Sequence, residues 1–79
     1  MAEIVNIPRL GVSMTEGTII RWLVATGDRV EIGTPLYLLE SNKAEVEVES
    51  SVGGVIVSLA QEGETYPVGA QIAEIDPHG

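Results

Sequence analysis

Apolar and polar positions along this chain alternate in short runs, and helical spacing is hard to find. A period of two over four to eight residues, bounded by turn residues, predicts strands with one buried face. The first such run covers 3–7 and is stopped by Pro8. A loop is expected over 11–16, then a strand over 17–24. Turns follow at Thr26-Gly27-Asp28 and Ile32-Gly33-Thr34-Pro35. Strands are predicted over 36–40 and 44–49, separated by the polar residues Ser41, Asn42 and Lys43. Val52-Gly53-Gly54 is a turn leading to a strand over 55–60. Glu62-Gly63-Glu64 and Val68-Gly69-Ala70 are turns around a short strand. A last strand covers 71–75, and Pro77 ends it. Short strands with frequent turns predict an all-β sandwich or barrel.

The pattern also repeats. Gly17-Thr-Ile-Ile-Arg-Trp aligns with Gly54-Val-Ile-Val-Ser-Leu at an offset of 37. Gly27-Asp28 aligns with Gly63-Glu64 at an offset of 36. Gly33 then aligns with Gly69, Leu36 with Ile72, Leu39 with Ile75, and Glu40 with Asp76. Two copies are too few for a solenoid. They predict two halves of one small structure related by a pseudo-two-fold axis. That symmetry sets the polar turn after Glu40 and the chain termini at opposite ends.

Composition agrees with strands. Valine and isoleucine total 18 against 6 leucines, and phenylalanine is absent; β-branched side chains suit pleated surfaces. There is no cysteine and a single histidine, His78, so neither a disulfide framework nor a thiolate or histidine metal site is expected. A formal charge of −8 argues against nucleic acid as a partner. No apolar run approaches the roughly 18 residues of a membrane helix, and the N-terminus lacks the pattern of a secretory signal. A soluble protein is expected: cytoplasmic in a bacterium, or in the mitochondrial matrix of a eukaryote. The chain reads as one domain over 1–79, with an ordered core of about 3–76.

Lys43 is the sole lysine; the other cations are Arg9, Arg21 and Arg29. Beyond it, Ala44, Val46 and Val48 share one strand face and Glu45, Glu47 and Glu49 the other. Before it, the apolar run ends at Leu39. Asn42 and Lys43 are therefore the natural centre of a hairpin turn, a setting that suits asparagine. A lysine on such a tip is accessible to a modifying enzyme while its backbone is held. An attached group would swing from a rigid root. An ordinary exposed lysine fits the same local pattern.

The stretch Glu40-Ser41-Asn42-Lys43-Ala44-Glu45-Val46-Glu47-Val48 resembles the attachment motif of lipoyl domains. So do Pro8-Arg9-Leu10-Gly11 and Met14-Thr15-Glu16-Gly17-Thr18-Ile19, and the glycines at 27, 33 and 54. The resemblance runs from about Ile4 to Ile75. One departure is Asn42, where the family usually has aspartate; it keeps size and turn chemistry but removes a charge. The resemblance implies a flattened barrel, or barrel-sandwich hybrid, of two four-stranded antiparallel sheets with quasi-two-fold symmetry. It implies lipoic acid in amide linkage to Lys43, with Asn42 and Ala44 completing the attachment turn. It also implies a non-catalytic carrier within the acyltransferase component of a 2-oxo acid or acetoin dehydrogenase complex. Its partners would be a lipoate ligase or lipoyl transferase, a thiamine-dependent decarboxylase component, an acyltransferase catalytic domain and dihydrolipoyl dehydrogenase. The 11–16 loop should lie near the lysine turn, so Leu10, Val12, Met14, Glu16 and Glu40 are candidate recognition residues; Leu10 and Met14 fit equally as covers of the core edge. Trp22 is expected in the core.

Two rivals share parts of this pattern. A biotin carrier has the same fold and a modified lysine, but methionines flank that lysine, where this chain has Asn42 and Ala44. An unmodified β-sandwich used for assembly would make the lone lysine accidental. An independent enzyme lacks support: there is no cysteine, no histidine cluster and no glycine-rich phosphate loop feeding a helix.

Overall fold

The computed structural model describes residues 2–41 and 44–78. They form eight strands: β1 (Glu3–Asn6), β2 (Glu16–Trp22), β3 (Arg29–Val30), β4 (Pro35–Ser41), β5 (Ala44–Glu49), β6 (Gly54–Leu59), β7 (Thr65–Pro67) and β8 (Gln71–Asp76). One antiparallel sheet has the order β1-β8-β6-β3 and the other β5-β4-β2-β7. The two sheets lie face to face and are not joined into a closed barrel, as expected for a flattened sandwich.

The repeat in the sequence is a repeat in the sheets. β2, β3 and β4 correspond to β6, β7 and β8, and β1 occupies in its sheet the place β5 occupies in the other. Irregularities recur at matching positions. The β2–β4 register shifts between Ile19 and Arg21, and the β6–β8 register between Ile56 and Ser58. Each shift is a β-bulge, which sharpens the local twist and bends the strand.

Two expectations need correction. The two-residue strand β3 falls where only turns were expected, since two residues carry no readable period. It pairs with β6 as Arg29↔Val55 and Val30↔Gly54. Glu16 belongs to β2 rather than to the preceding loop, because it pairs with Pro67. The prolines within strands are consistent with sheet hydrogen bonding: Pro35 opens β4, and Pro67 lies on the edge strand β7.

The core is built from inward residues of both sheets, among them Ile19, Leu36, Tyr37 and Leu39 from one, and Val30, Ile56, Ile72 and Ile75 from the other; Leu36 and Tyr37 are both buried although adjacent, beside the register shift of β4. Trp22 packs against this core as expected. Its indole N–H donates to the Ala60 carbonyl at 2.7 Å, and its ring lies 4.9 Å from that of Tyr37, tilted by 55°. Tyr37 is fully buried, and its phenol has no hydrogen-bond partner among the described residues. Burial pushes that phenol up to about 12.

Gly54 marks the tightest approach in the fold. It has φ of +155°, and a Cβ there would lie 2.3 Å from the backbone oxygen of Asp76. The obstructing atoms of Asp76 and Pro77 are backbone and cannot swing aside as a flexible side chain would. Gly54→Ala is therefore expected to cost about 3 kcal/mol. Gly11→Ala, with nothing within 4 Å of the added Cβ, should stay within about 0.5 kcal/mol of the parent; urea titration of both variants checks the pair.

Tyr37→Phe removes an unpaired buried hydroxyl, so stability at neutral pH should change by less than about 1 kcal/mol. The raised phenol pKa makes the unfolded chain the weaker proton binder between pH 10 and about 12. Stability linked to Tyr37 is thus complete below pH 10 and is lost as pH climbs through that window. Denaturation midpoints followed from pH 9 to 12 should fall less steeply for Tyr37→Phe than for the parent. An equal slope would assign the alkaline loss to other groups.

Candidate functional site: the β4–β5 tip and the loop beside it

The β4–β5 pair is the longest ladder among the described residues; its register shifts once, between Pro35 and Tyr37, and is unbroken from Tyr37↔Val48 to the tip. Leu39↔Val46, Glu40↔Glu45 and Ser41↔Ala44 are successive partners. Only positions 42 and 43 lie between the paired ends. Asn42 and Lys43, the proposed turn and attachment residues, are outside the described residues. Ala44, the third member of that turn, is exposed and opens β5.

Sheet geometry separates the charges from the core at this end. Val46 and Val48 pair with Leu39 and Tyr37 on the inner face, while Glu45 and Glu47 face solvent. β5 is the edge of its sheet, and its row of glutamates discourages a further strand from adding there. Glu40 lies directly opposite Glu45 on the same outer face. Two like charges so placed oppose pairing, so the register at the tip rests on the apolar Leu39–Val46 and Tyr37–Val48 pairs beneath.

The loop after β1 reaches this tip. Leu10, Gly11 and Met14 line one groove together with Ser41, Ala44 and Val46. The loop is held by its own bonds and by a neighbouring turn. The Arg9 guanidinium donates to the Val12 carbonyl at 3.2 Å, the Met14 N–H donates to Gly11 at 3.1 Å, and the Val68 N–H donates to Thr15 at 3.0 Å. Val12 at the loop's crest is 97 % exposed and Leu10 is 48 % exposed. Glu16 is exposed at the start of β2, and Thr18 two residues on pairs with Glu40, which sets Glu16 at the tip end of the sheet.

Met14 needs correction as a recognition contact: of its two expected roles, contact or cover of the core edge, its 2 % exposure leaves the second. Its methyl carbon would lie 3.1 Å from a Cβ on Gly17, and the Leu39 Cδ1 2.7 Å from the same point. The missing side chain of Gly17 makes the room that these two groups fill. Met14 therefore supports the loop from beneath, a task suited to its flexible thioether. Its sulfur also accepts from the Leu10 N–H at 3.2 Å. Gly11, Ser41 and Val46 belong to the groove but were absent from the candidate site residues. The alternation of β5 assigns Val46 to the inner face, but on an edge strand such a residue is only partly covered; here it is 38 % exposed.

Among the described residues no group of three or more histidine, cysteine or acidic side chains could hold a metal ion. Among the described residues no helix is long and apolar enough to cross a membrane.

Comparison with known proteins agrees with this geometry. The family model for biotin/lipoyl attachment domains, described as "Biotin-requiring enzyme", matches residues 3–75. The chain belongs to this family of carrier domains. Similar proteins include the dihydrolipoyllysine-residue acetyltransferase component of the pyruvate dehydrogenase complex of Mycobacterium bovis, 47 % identical over 94 % of this chain and 14 % of the relative. The lipoamide acyltransferase component of the branched-chain alpha-keto acid dehydrogenase complex of Bacillus subtilis is 44 % identical over 98 % of this chain and 18 % of its own length. The succinyltransferase component of the 2-oxoglutarate dehydrogenase complex of Staphylococcus saprophyticus is 46 % identical over 90 % and 17 %. The chain thus spans less than a fifth of each of these relatives.

Met14→Ala should lower stability by about 2–4 kcal/mol, the usual cost of emptying a buried methionine site. Val12→Ser should change it by less than about 0.5 kcal/mol. Equal effects in urea unfolding would contradict the division of the loop into a buried support and an exposed crest.

Proposed function

We propose that this chain is a lipoyl carrier domain of a 2-oxo acid dehydrogenase acyltransferase component, and that Lys43 takes lipoic acid in amide linkage. The observation that carries this reading is the β4–β5 ladder, paired to Ser41 and Ala44, with the sole lysine of the chain in the two-residue connection. The relatives add the choice of group: three different acyltransferase components match over nearly the whole chain, two of them named for a dihydrolipoyllysine residue.

The chain has no thiol. When attached, the lipoyl group supplies a dithiolane able to accept an acyl group and two electrons. The contribution of the chain is positional. Paired strands hold the root of the arm, and the small, exposed Ala44 leaves access to its neighbour. Attachment to one assembly keeps the arm at high effective concentration near each active site. Asn42, in place of the family's usual aspartate, retains turn chemistry and weakens charge-based recognition by the lipoylating enzyme.

The exposed loop beside the tip is the recognition surface for the thiamine-dependent decarboxylase component. Leu10, Val12 and Glu16 make the contacts, Glu40 flanks them on β4, and Met14 holds the loop in shape. The acyltransferase catalytic domain and dihydrolipoyl dehydrogenase are the later partners. The bacterial origin of the relatives supports a cytoplasmic setting.

Intact mass tests the reading. The chain is co-expressed with a lipoate ligase and lipoate, and separately with a biotin ligase and biotin, with Lys43→Arg beside each. The expected result is a gain of one lipoyl amide that disappears in Lys43→Arg. A gain only with biotin would make this a biotin carrier; no gain with either ligase would contradict a carrier role.

A further inference from the structure

The groove at the tip has features that presentation of a lysine does not require. Its lining is Leu10, Gly11, Met14, Ser41, Ala44 and Val46, a mostly aliphatic set. Leu10 and Val46 stand on opposite elements, the loop after β1 and strand β5, and each keeps more than a third of its surface exposed. Burying such surface is favourable whenever an apolar group of the right size is available. The groove measures about 280 Å³. That is just below the usual range of small-molecule sites, with room for one unbranched aliphatic chain rather than a folded partner segment.

The position of the groove selects its occupant. Ala44, a lining residue, is bonded directly to residue 43, and Ser41 lies across the ladder from it. A group attached to the Lys43 side chain is therefore tethered beside an apolar cleft. Short tethers give effective concentrations in the millimolar range or above, so even weak contacts populate a docked state.

We propose that this groove is the resting site of the lipoyl arm, with its methylene chain lying against Leu10 and Val46 between visits to partner active sites. The proposal rests on lipoylation of Lys43. It has a consequence for handover. Leu10 serves both the groove and the recognition loop, so a partner that covers Leu10 competes with the docked arm. Recognition and release of the arm are thereby coupled: docking of the partner frees the arm to enter that partner's active site.

Methyl NMR on the unmodified, octanoyl and lipoyl forms of the chain tests this, with intact mass confirming one arm on Lys43 before any spectrum is recorded. Nuclear Overhauser contacts from arm methylenes to the Leu10 and Val46 methyl groups are expected in both acylated forms. The Gly11 amide should shift as well, and Leu10→Ser should reduce that shift by more than half. Changes confined to residues 41–44, with no contacts to Leu10 or Val46 in a chain whose mass shows the arm, would overturn the groove proposal and leave the carrier reading standing. A mass without the arm would remove both.

Discussion

Each sheet of this chain takes strands from both halves, so neither half forms a sheet alone. β3, from the first half, completes the sheet of β6 and β8, and β7, from the second, completes that of β2 and β4. The exchange is sealed by two matching pairs of backbone bonds. The Gly63 N–H donates to the Ile19 carbonyl at 2.6 Å, and the Ile19 N–H donates to Glu64 at 3.1 Å. In the other half the Gly27 N–H donates to Ile56, and the Ile56 N–H to Asp28, each at 2.8 Å. Ile19 and Ile56 are both buried. Their backbone groups have no water to turn to, so the exchange cannot open at one place without leaving buried polar groups unpaired. Neither half can close a core alone, which is why a chain near the lower size limit for an unstapled fold can still hold one conformation.

That closure also holds the β4–β5 tip in place. β5 is an edge strand with an acidic outer face, and an isolated hairpin of this kind would be marginal in water. Here β4 is held on its other side by β2, and β2 in turn by the borrowed β7. Leu39 and Tyr37, both fully buried, anchor the ladder from the core. The like-charged pair Glu40–Glu45 sits at the tip, where it opposes pairing. The apolar pairs below outweigh it because burial of Tyr37 and Leu39 is worth several times a solvent-exposed repulsion. A small domain can thus keep a charged outer face on β4 and β5 with these strands firmly paired.

Much of this was legible in the residues. Alternation in 44–49 identified both faces of β5, and the glycines at 17, 27 and 33, matched at 54, 63 and 69, revealed the two-fold relation before any coordinates. The same repeat held the missing information about β3. Arg29 and Val30 align with Thr65 and Tyr66 of β7 at the offset of 36, although two residues are too few to show a period. Met14 was the least legible of the candidate residues. A single apolar residue in a loop has no neighbours of known phase, so its direction depends on the space that Gly17 leaves open. The partial exposure of Val46 was hidden for a related reason: alternation tells which face a side chain occupies, while strand order tells how well that face is covered.

Under the proposed function, the closed fold rather than the local sequence presents Lys43 for modification. The direct measurement compares initial rates of lipoylation, with one lipoate ligase, for the intact chain and for a free peptide of residues 38–49. Modification of the chain is expected, at a rate at least about a hundredfold above that of the peptide, whose strands have neither β2 nor a core to hold them paired. Equal rates would contradict this reading, because the short motif around Lys43 would then suffice without the sandwich that surrounds it.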